Sequence, residues 1–351
     1  MNDLREQFSE AIRQAAERRR PVRIRGSGSK DFYGGVPRGE VLDTTRYTGV
    51  VDYAPEELVI SARAGTPLSE IEAVLAERNQ MLAFEPPHFG PRATLGGCVA
   101  AGLSGPRRPY TGAVRDFVLG VVLMDGRGEA LRFGGQVMKN VAGYDVSRLV
   151  TGSLGTLGLI LEVSLKVLPR PAAEVTLQLE MDADAALVAM NRWAGEPLPI
   201  SATCYHDHVL TVRLSGAQAA VRAAQARLGG QVLAAGEAFW RGIREHSANF
   251  FRDARPLWRI SLPSTRPLDL PGKQLVEWGG ALRWVFTDAD AATVRAAARA
   301  AGGHATLFRA PRKEGPVFTP LPAPLLALHK RVKRAFDPHG ILNPGRMYGE
   351  F

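Results

Sequence analysis

Residues 91–126, PRATLGGCVAAGLSGPRRPYTGAVRDFVLGVVLMDG, decide how this chain folds. Glycines and small hydroxyl residues fill the first part of the stretch, and a strand-like apolar run at 117–124 closes it. Glycine has no Cβ atom, so it lets backbone N–H groups approach a bulky ligand. The stretch has neither a closing Gly-Lys-Ser/Thr nor GxGxxG spacing, which excludes a Walker loop and a Rossmann fingerprint. It therefore predicts a ligand-binding segment of another kind.

A second glycine-rich segment lies near the start of the chain. Residues 22–35, VRIRGSGSKDFYGG, are a β run followed by a Gly/Ser turn. Successive N–H groups in such a turn form an anion-binding nest, and Arg25 and Lys30 would add positive charge. The alternative is an ordinary β-turn. Taken alone, the segment leaves both interpretations open.

A third segment, 138–169, reads MKNVAGYDVSRLVTGSLGTLGLILEVSLKVLP. The three segments, in this order, resemble the vanillyl-alcohol-oxidase-type (PCMH-type) FAD family. Residues 91–126 are similar to its T-[IL]-G-G, A-x-G and G-x-x-x-D pattern. The third segment is similar to K-N-x-x-G-Y-D-x-x-[KR]-L…G-S-x-G-T-L-G in flavin-dependent 2-hydroxy-acid dehydrogenases. The closing DPHGILNPGRMY, 337–348, resembles the family's usual tail, to which we assign a structural role.

The resemblance implies that FAD is the cofactor and that it is bound non-covalently. Relatives that tether FAD carry His or Cys in the two loops that correspond to 25–30 and 104–112, and this chain has neither there. We interpret the nearby Cys98 as a packed thiol. The residues that the resemblance assigns to FAD are Arg25, Gly26, Ser27, Gly28, Ser29, Lys30, Pro86, Thr94, Leu95, Gly96, Gly97, Ala101, Gly102, Gly112, Asp116, Gly158 and Ile160.

Within this family the phrases RIRGSGSK (23–30), LAFEPPHFG (82–90) and LVTGSLGTLG (149–158) most resemble the FAD-binding E subunits of bacterial glycolate oxidases. This implies a subunit that helps oxidise glycolate to glyoxylate. The resemblance also implies two partners, a larger flavoprotein subunit and an iron–sulfur subunit. The two cysteines of this chain cannot supply the four that an iron–sulfur cluster usually needs, so we expect any such cluster on another chain. The alternatives are a self-sufficient FAD-dependent oxidoreductase of another small 2-hydroxy acid and a mainly structural flavoprotein subunit.

The sequence does not name a catalytic base. The H-A-G-D-G-N-x-H and G-E-H-G motifs of catalytic relatives are absent. Arg244 and His246, in the phrase WRGIREH, are the candidates for a direct role. His206 and His208 lie two apart in a run predicted as one strand, which would point both side chains to one face. They have no evident third ligand, so we predict no metal site.

The chain is long for one core, and 351 residues favour more than one domain. Short β runs dominate up to Pro169-Arg170-Pro171, and strands then alternate with helices. We predict an α+β protein with a two-part PCMH-type FAD-binding domain at 1–170, a ferredoxin-like α+β cap at 171–324, and a returning helix and tail at 325–351. Helices are expected at 67–78, with Thr66 as the cap, and at 239–250.

Charge and hydropathy narrow the remaining function classes. The net charge is +9, but the arginines are scattered and no nucleic-acid motif occurs, so we predict no nucleic-acid partner. A positive field would still help to attract a small carboxylate or an acidic partner. No secretory signal or run of about 18 apolar residues is present. We expect a cytoplasmic protein without a membrane span. The alternative is peripheral association with the inner face of the bacterial membrane through the partner subunits.

Overall fold

The structure, a computed structural model, describes residues 2–135 and 145–351. Residues 138–144, which begin the third predicted FAD segment, lie outside the described residues. The first part of the chain, residues 2–169, consists mainly of short helices and short strands. The helices are α1 (Asn2–Glu17), α2 (Leu68–Ala76), α3 (Leu95–Ala101), α4 (Arg108–Thr111), α5 (Val114–Phe117) and α6 (Val146–Leu149). The strands are β1 (Val22–Arg25), β2 (Glu40–Asp43), β3 (Val50–Ala54), β4 (Val59–Arg63), β5 (Gln80–Met81), β6 (Val118–Met124), β7 (Ala130–Gly134), β8 (Leu159–Lys166) and β9 (Leu168–Pro169).

An antiparallel sheet of order β3-β4-β8-β6-β7 forms the centre of this part. Strands β4 and β8 are buried along nearly their whole length, because residues on both of their faces are covered. Helix α3 packs closely on the end of β4, where the Gly96 N–H donates to the Ala64 carbonyl at 2.7 Å. A Cβ atom at Gly96 would lie 2.7 Å from the Ala64 Cβ atom, so this approach requires glycine. The sheet therefore fixes where α3 begins.

The predicted helix at 67–78 is confirmed as α2, but its predicted cap is wrong. Pro67 occupies the N-cap position, and no side chain caps the helix. The Thr66 hydroxyl instead accepts a hydrogen bond from the Gly49 N–H at 2.9 Å. Thr66 is fully buried. Its hydroxyl therefore provides a hydrogen-bond partner for the Gly49 N–H rather than for the backbone of α2.

A second, eight-stranded sheet occupies the region from 173 to 309, with order β13-β10-β12-β11-β15-β16-β14-β17. Its strands are β10 (Ala173–Glu180), β11 (Ile200–His206), β12 (Val209–Gly216), β13 (Gln231–Val232), β14 (Leu257–Ser261), β15 (Lys273–Glu277), β16 (Leu282–Phe286) and β17 (His304–Arg309). The accompanying helices are α7 (Ala183–Ala194), α8 (Gln218–Leu228), α9 (Gly236–Arg244) and α10 (Ala291–Ala300), with short 3₁₀ turns at Asn249–Phe251 and Trp278–Gly280.

The predicted ferredoxin-like arrangement is confirmed, and it occurs twice. The first half runs β10-α7-β11-β12-α8-β13 with spatial order β13-β10-β12-β11. The second half, β14-β15-β16-α10-β17, repeats that order and has no helix between β14 and β15. Strands β11 and β15 join the halves, with Cys204 opposite Glu277. The middle of the long sheet is thus the junction of two similar units.

Two local predictions for this region are wrong. The run at 202–214 is a hairpin, because Asp207 and His208 turn the chain with φ of 52° and 61°. His206 therefore ends one strand and His208 lies in the turn, so the two do not share a strand face. The helix predicted at 239–250 ends at Arg244, and His246 follows with a left-handed φ of 52°.

The C-terminal helix α11 (Ala323–Phe336) brings the chain back to the first sheet. Val332 and Phe336 pack against its core. Beyond the helix, Leu342 forms a parallel bridge with Val22 on β1. The tail thus contacts the residues that begin the fold. The domain boundaries at 170 and 324 stay a prediction.

Candidate functional site

An open cavity of about 800 Å³ lies where the loop after β1, the start of α3, the turn before β8 and the C-terminal tail meet. The structure brings most of the predicted FAD residues to its wall. These are Arg25, Gly26, Ser27, Gly28, Ser29, Lys30, Thr94, Gly96, Gly97, Ala101, Gly158 and Ile160. Segments far apart in sequence thus form one concave surface.

Glycines shape this cavity in three different ways. Gly26 lets the loop approach α3, since a Cβ atom there would collide with Thr94 Oγ1. Gly28 has φ of 78°, which side chains rarely adopt, and its Cβ would lie 2.6 Å from Arg25 Nη2. Among the described residues, and leaving out the helix backbone, a Cβ at Gly97 would meet only Thr94 Oγ1, at 3.1 Å. A longer side chain at Gly97 would therefore occupy the cavity, which is the space a bulky cofactor needs.

Cations line the cavity beside the glycines. Asp31 Oδ2 pairs with Arg23 Nη2 at 2.5 Å and lies 3.3 Å from Arg25 Nε, so this carboxylate holds both arginines at the loop. Burial lowers the pKa of Lys30, while the nearby Cys98 and Glu245 act to raise it. A buried ammonium bonds an anion more strongly than an exposed one does. The wall thus offers backbone N–H groups and cations to a diphosphate.

Five predicted FAD residues lie outside the wall of this cavity: Pro86, Leu95, Gly102, Gly112 and Asp116. The Asp116 carboxylate accepts a hydrogen bond from the Ala113 N–H at 2.8 Å, and Gly112, with φ of 109°, ends α4. Gly102 ends α3 with φ of 65° and packs on Gly152. These contacts shape the turns around the site. A direct contact of these five residues with FAD stays a prediction.

The sequence analysis missed residues that complete the wall. They are Arg23, Ile24, Asp31, Pro37, Thr44, Ala64, Ala100, Leu154, Gly155, Leu159, Asn343 and Arg346. The most informative is Asn343, whose Oδ1 accepts from the Ile24 N–H at 2.7 Å and whose Nδ2 donates to the Leu154 carbonyl at 2.6 Å. The side-chain amide of Asn343 therefore joins the C-terminal tail to β1 and to the turn before β8. The Asn-Pro-Gly motif of the tail is the sequence signal for Asn343, although the sequence analysis assigns the tail only a structural role.

We expect Asn343→Ala to lower the free energy of unfolding by roughly 2 kcal/mol, because it leaves two buried backbone groups without partners. It should also weaken FAD binding, since Ile24 and Leu154 lose their common anchor. Chemical denaturation and flavin titration measure the two effects. Arg312→Ala, at a solvent-exposed position, is the control. Unchanged stability and FAD affinity would show that the amide is dispensable.

A smaller cavity lies beside the first, between loops of the first part of the chain, the end of α9 and the eight-stranded sheet. Lys30, on the wall of the larger cavity, places its Nζ 5.9 Å from the ring centroid of Phe89, on the wall of the smaller one. Arg244 and His246, the predicted candidates for a chemical role, both line this second cavity. The structure thus brings them together next to the glycine-rich site.

His246 is held as a neutral imidazole in this second cavity. Its ring stacks on Phe251 with centroids 3.9 Å apart, and Trp284 meets it edge-on. Burial, together with Arg309 and Arg259, holds its pKa well below 6.5. Its Nδ1 is buried and has no hydrogen-bond partner in the part of the chain that the structure describes. His246 can therefore offer a hydrogen bond to a ligand, but it is a poor proton acceptor.

Arg244 is already engaged by its neighbour. Its Nε donates to Glu245 Oε1 at 2.8 Å. The Glu245 carboxylate also accepts from the His88 and Phe89 N–H groups, at 3.0 and 2.8 Å. This arrangement fixes the loop that carries Phe89. Arg244 therefore acts on the cavity through the shape of its wall.

Comparison with known proteins identifies this architecture. The "Glycolate oxidase subunit GlcE" of Escherichia coli (strain K12) is 50% identical over 99% of this chain and 98% of its own length. The chain belongs to the GlcE family. Residues 4–134 match the model of the FAD binding domain family, and residues 321–347 match that of the C-terminal domain of FAD linked oxidases. FAD as the cofactor, predicted from the glycine-rich segments, is confirmed.

More distant relatives share part of the GlcE-family chain. The "Glycolate oxidase subunit GlcD" of Bacillus subtilis (strain 168) is 31% identical over 49% of this chain and 37% of its own length. An alkyldihydroxyacetonephosphate synthase superposes with a TM-score of 0.67 over 97% of this chain and 75% of its own, at 15% identity. This likeness confirms the predicted fold class. Among the described residues, no helix has the length and apolar character needed to cross a membrane.

Proposed function

We propose that this chain is the FAD-binding subunit of a multi-subunit glycolate oxidase, which converts glycolate to glyoxylate and passes the electrons onward through partner subunits. The observation that carries the proposal is the glycine-shaped cavity, in a chain half identical to GlcE along nearly its whole length. The cavity's N–H groups and cations match a diphosphate, and its glycines leave space for a bulky cofactor. Bound FAD would accept the electrons of the substrate.

The residues of the cavity have distinct tasks toward FAD. The loop from Gly26 to Lys30 offers N–H groups and an ammonium to the diphosphate. Gly97 and Ala101 on α3 leave room for the ring system. Neither the 25–30 loop nor the 104–112 segment contains His or Cys, so binding is non-covalent. Cys98, the nearest thiol, is fully buried, and burial raises its pKa to about 12. It therefore stays a protonated thiol, which is a poor nucleophile.

The proposed partners are a larger flavoprotein subunit and an iron–sulfur subunit. The sequence has only Cys98 and Cys204, both buried, so an iron–sulfur cluster of the complex belongs on another chain. The net charge of +9 favours association with acidic partner surfaces. The complex would work in the cytoplasm, with peripheral contact to the inner face of the membrane through these partners.

Gly97→Val is the test of the FAD site. A branched side chain at this position fills the cavity, because it projects where nothing but Thr94 lies within 4 Å outside the helix. Purified wild-type protein should carry FAD that acid or heat releases without a covalent remnant. We expect the variant to lose at least nine-tenths of that flavin, measured from its visible spectrum and by chromatography of the released cofactor.

Gly195→Val is the matched control, since Gly195 has an ordinary φ of −88° at the end of α7 and lines neither cavity. Far-ultraviolet circular dichroism checks that both variants fold. Full flavin retention in a folded Gly97→Val protein would contradict the site. Co-purification of a tagged chain with identification of its partners tests the proposed complex, and the absence of any flavoprotein partner would favour the self-sufficient alternative.

A further inference from the structure

The second cavity contains a buried carboxylate that the protein satisfies only in part. Glu277 ends β15 and is 4% exposed. Its Oε2 accepts the Trp284 indole N–H at 2.7 Å. Its Oε1 is buried and has no hydrogen-bond partner among residues 2–135 and 145–351. Native proteins rarely leave a buried polar atom unpaired, and such an atom in a cavity is often kept for a ligand or a reaction.

Arg259 on β14 supplies a cation to the same cavity. Its guanidinium lies 5.1 Å from the ring centroid of Trp278. Within residues 2–135 and 145–351, no carboxylate forms an ion pair with it. Arg259 is half-buried, and cations that are largely removed from water are normally paired. Arg259 is therefore available to a carboxylate that comes from outside the chain.

Most of the remaining wall of the cavity is apolar. Phe89, Leu103, Trp284 and Phe308 line it, and the polar atoms among them are few. The third polar group that remains unpaired is Nδ1 of His246. Two guanidinium groups line the cavity, and that of Arg244 is already engaged by Glu245, which leaves Arg259 for a ligand. One free cation, one carboxylate and one neutral imidazole among aromatic rings match a small anionic ligand that also carries a hydroxyl group.

We infer that this cavity binds a small 2-hydroxy carboxylate, whose carboxylate pairs with Arg259 and whose hydroxyl gives its proton to Glu277. The inference rests on the proposed function and names the residues that serve it. In the proton transfer the O–H bond of the ligand breaks, its electron pair stays on the ligand oxygen, and the proton binds Glu277 Oε1. His246 Nδ1 lies on the same wall to hydrogen-bond the ligand, and Glu245 fixes the loop that closes it.

The chemistry of Glu277 suits this role. Burial raises the pKa of its carboxyl to about 7, while Trp284, Arg259 and Arg213 act to lower it and Glu85 acts to raise it. A proton acceptor works best when its pKa lies near the working pH. The carboxylate can therefore take a proton and return it to solvent at neutral pH. His246, with its much lowered pKa, cannot do so as well.

Oxalate is the probe for the binding step, because it is as small as a two-carbon hydroxy acid and has no C–H bond to oxidise. Binding to the FAD-loaded protein is followed by calorimetry and by tryptophan fluorescence, since Trp284 lines the cavity. We expect Arg259→Gln to weaken oxalate binding at least tenfold and Arg259→Lys to keep part of the affinity. Arg108→Gln is the control, because Arg108 stacks on the same Trp278 ring at 4.4 Å and does not line the cavity.

Glu277→Gln separates proton transfer from binding. Glutamine keeps an oxygen for the Trp284 N–H but cannot accept a proton. Oxalate affinity should be unchanged or higher, because a negative charge is removed. Glycolate-dependent dye reduction by the complex assembled with its partner subunits should fall at least about 100-fold in kcat, the contribution typical of a general base. Full turnover in this variant would overturn the role of Glu277.

Flavin content distinguishes a failure of the proposed function from a failure of the inference about the second cavity. Wild-type protein that lacks FAD contradicts the proposed function itself. Wild-type protein that carries FAD but does not bind oxalate, or that binds it equally well after Arg259→Gln and Arg259→Lys, leaves the proposed function standing and overturns this inference. Oxalate binding that is weakened at least tenfold by Arg259→Gln and less by Arg259→Lys, with normal flavin content in both variants, supports it.

Discussion

Lys333→Met should lower the free energy of unfolding by about 3–5 kcal/mol, the range observed when one partner of a buried ion pair is removed. Lys333 Nζ donates to Asp337 Oδ2 at 2.7 Å and to the carbonyls of Thr156 and Leu342, at 2.7 and 2.8 Å. Asp337 is fully buried. Methionine fits the space but leaves the Asp337 charge uncompensated and two carbonyls without a donor.

Loss of the Lys333 hydrogen bonds should also weaken FAD binding. Thr156 and Leu342 flank Gly155 and Asn343, which line the larger cavity, so the tail can no longer hold that wall. Denaturant unfolding and FAD content measure the two effects. Arg334→Met, one residue along α11 and exposed, should change stability by less than about 0.5 kcal/mol. The double variant Lys333→Met/Asp337→Asn should recover part of the loss, and a single variant as stable as wild type would contradict the argument.

The FAD loops could be predicted from the sequence because their function depends on local backbone chemistry. Gly26, Gly28 and Gly97 lie in short segments where the absence of a Cβ atom decides what approaches the backbone. Asn343 could not be placed in the same way. Its amide joins Ile24 and Leu154, which lie far away along the chain, and a spacing pattern does not record such contacts.

The second cavity could not be predicted from the sequence for a related reason. Glu277 and Arg259 lie on β15 and β14, strands whose neighbours are set by the doubled ferredoxin-like topology. The sequence indicated alternating strands and helices but not that two similar units share one sheet. His246 was singled out from its phrase, yet its exposure to the cavity depends on a left-handed φ that residue type does not predict. The sequence pattern therefore indicates His246, and not Glu277, as a candidate for the base.

Glu277→Gln should stabilise the protein at alkaline pH while it lowers turnover at least about 100-fold. The carboxyl has its pKa raised from 4.5 to about 7, mainly by burial. A raised pKa means that the folded state prefers the protonated form, so the stability that this group contributes is fully present below pH 4.5 and is lost as pH rises through about 7. The difference of about 2.5 pKa units, 7 minus 4.5, corresponds to about 3 kcal/mol at 1.36 kcal/mol per unit.

Glutamine has no charge to bury, so the variant should gain up to about 3 kcal/mol over wild type at pH 8.5 and almost nothing at pH 4.5. Thermal unfolding of both proteins across this range measures the gap, which should open between pH 4.5 and 7. Asp253→Asn is the contrasting control, because Arg255 lowers the pKa of that carboxyl to about 2, so its removal gives no alkaline gain. A Glu277→Gln protein less stable than wild type at pH 8.5 would contradict the pKa assignment. A protein that keeps a destabilising carboxylate in an aromatic cavity retains it for chemistry rather than for folding.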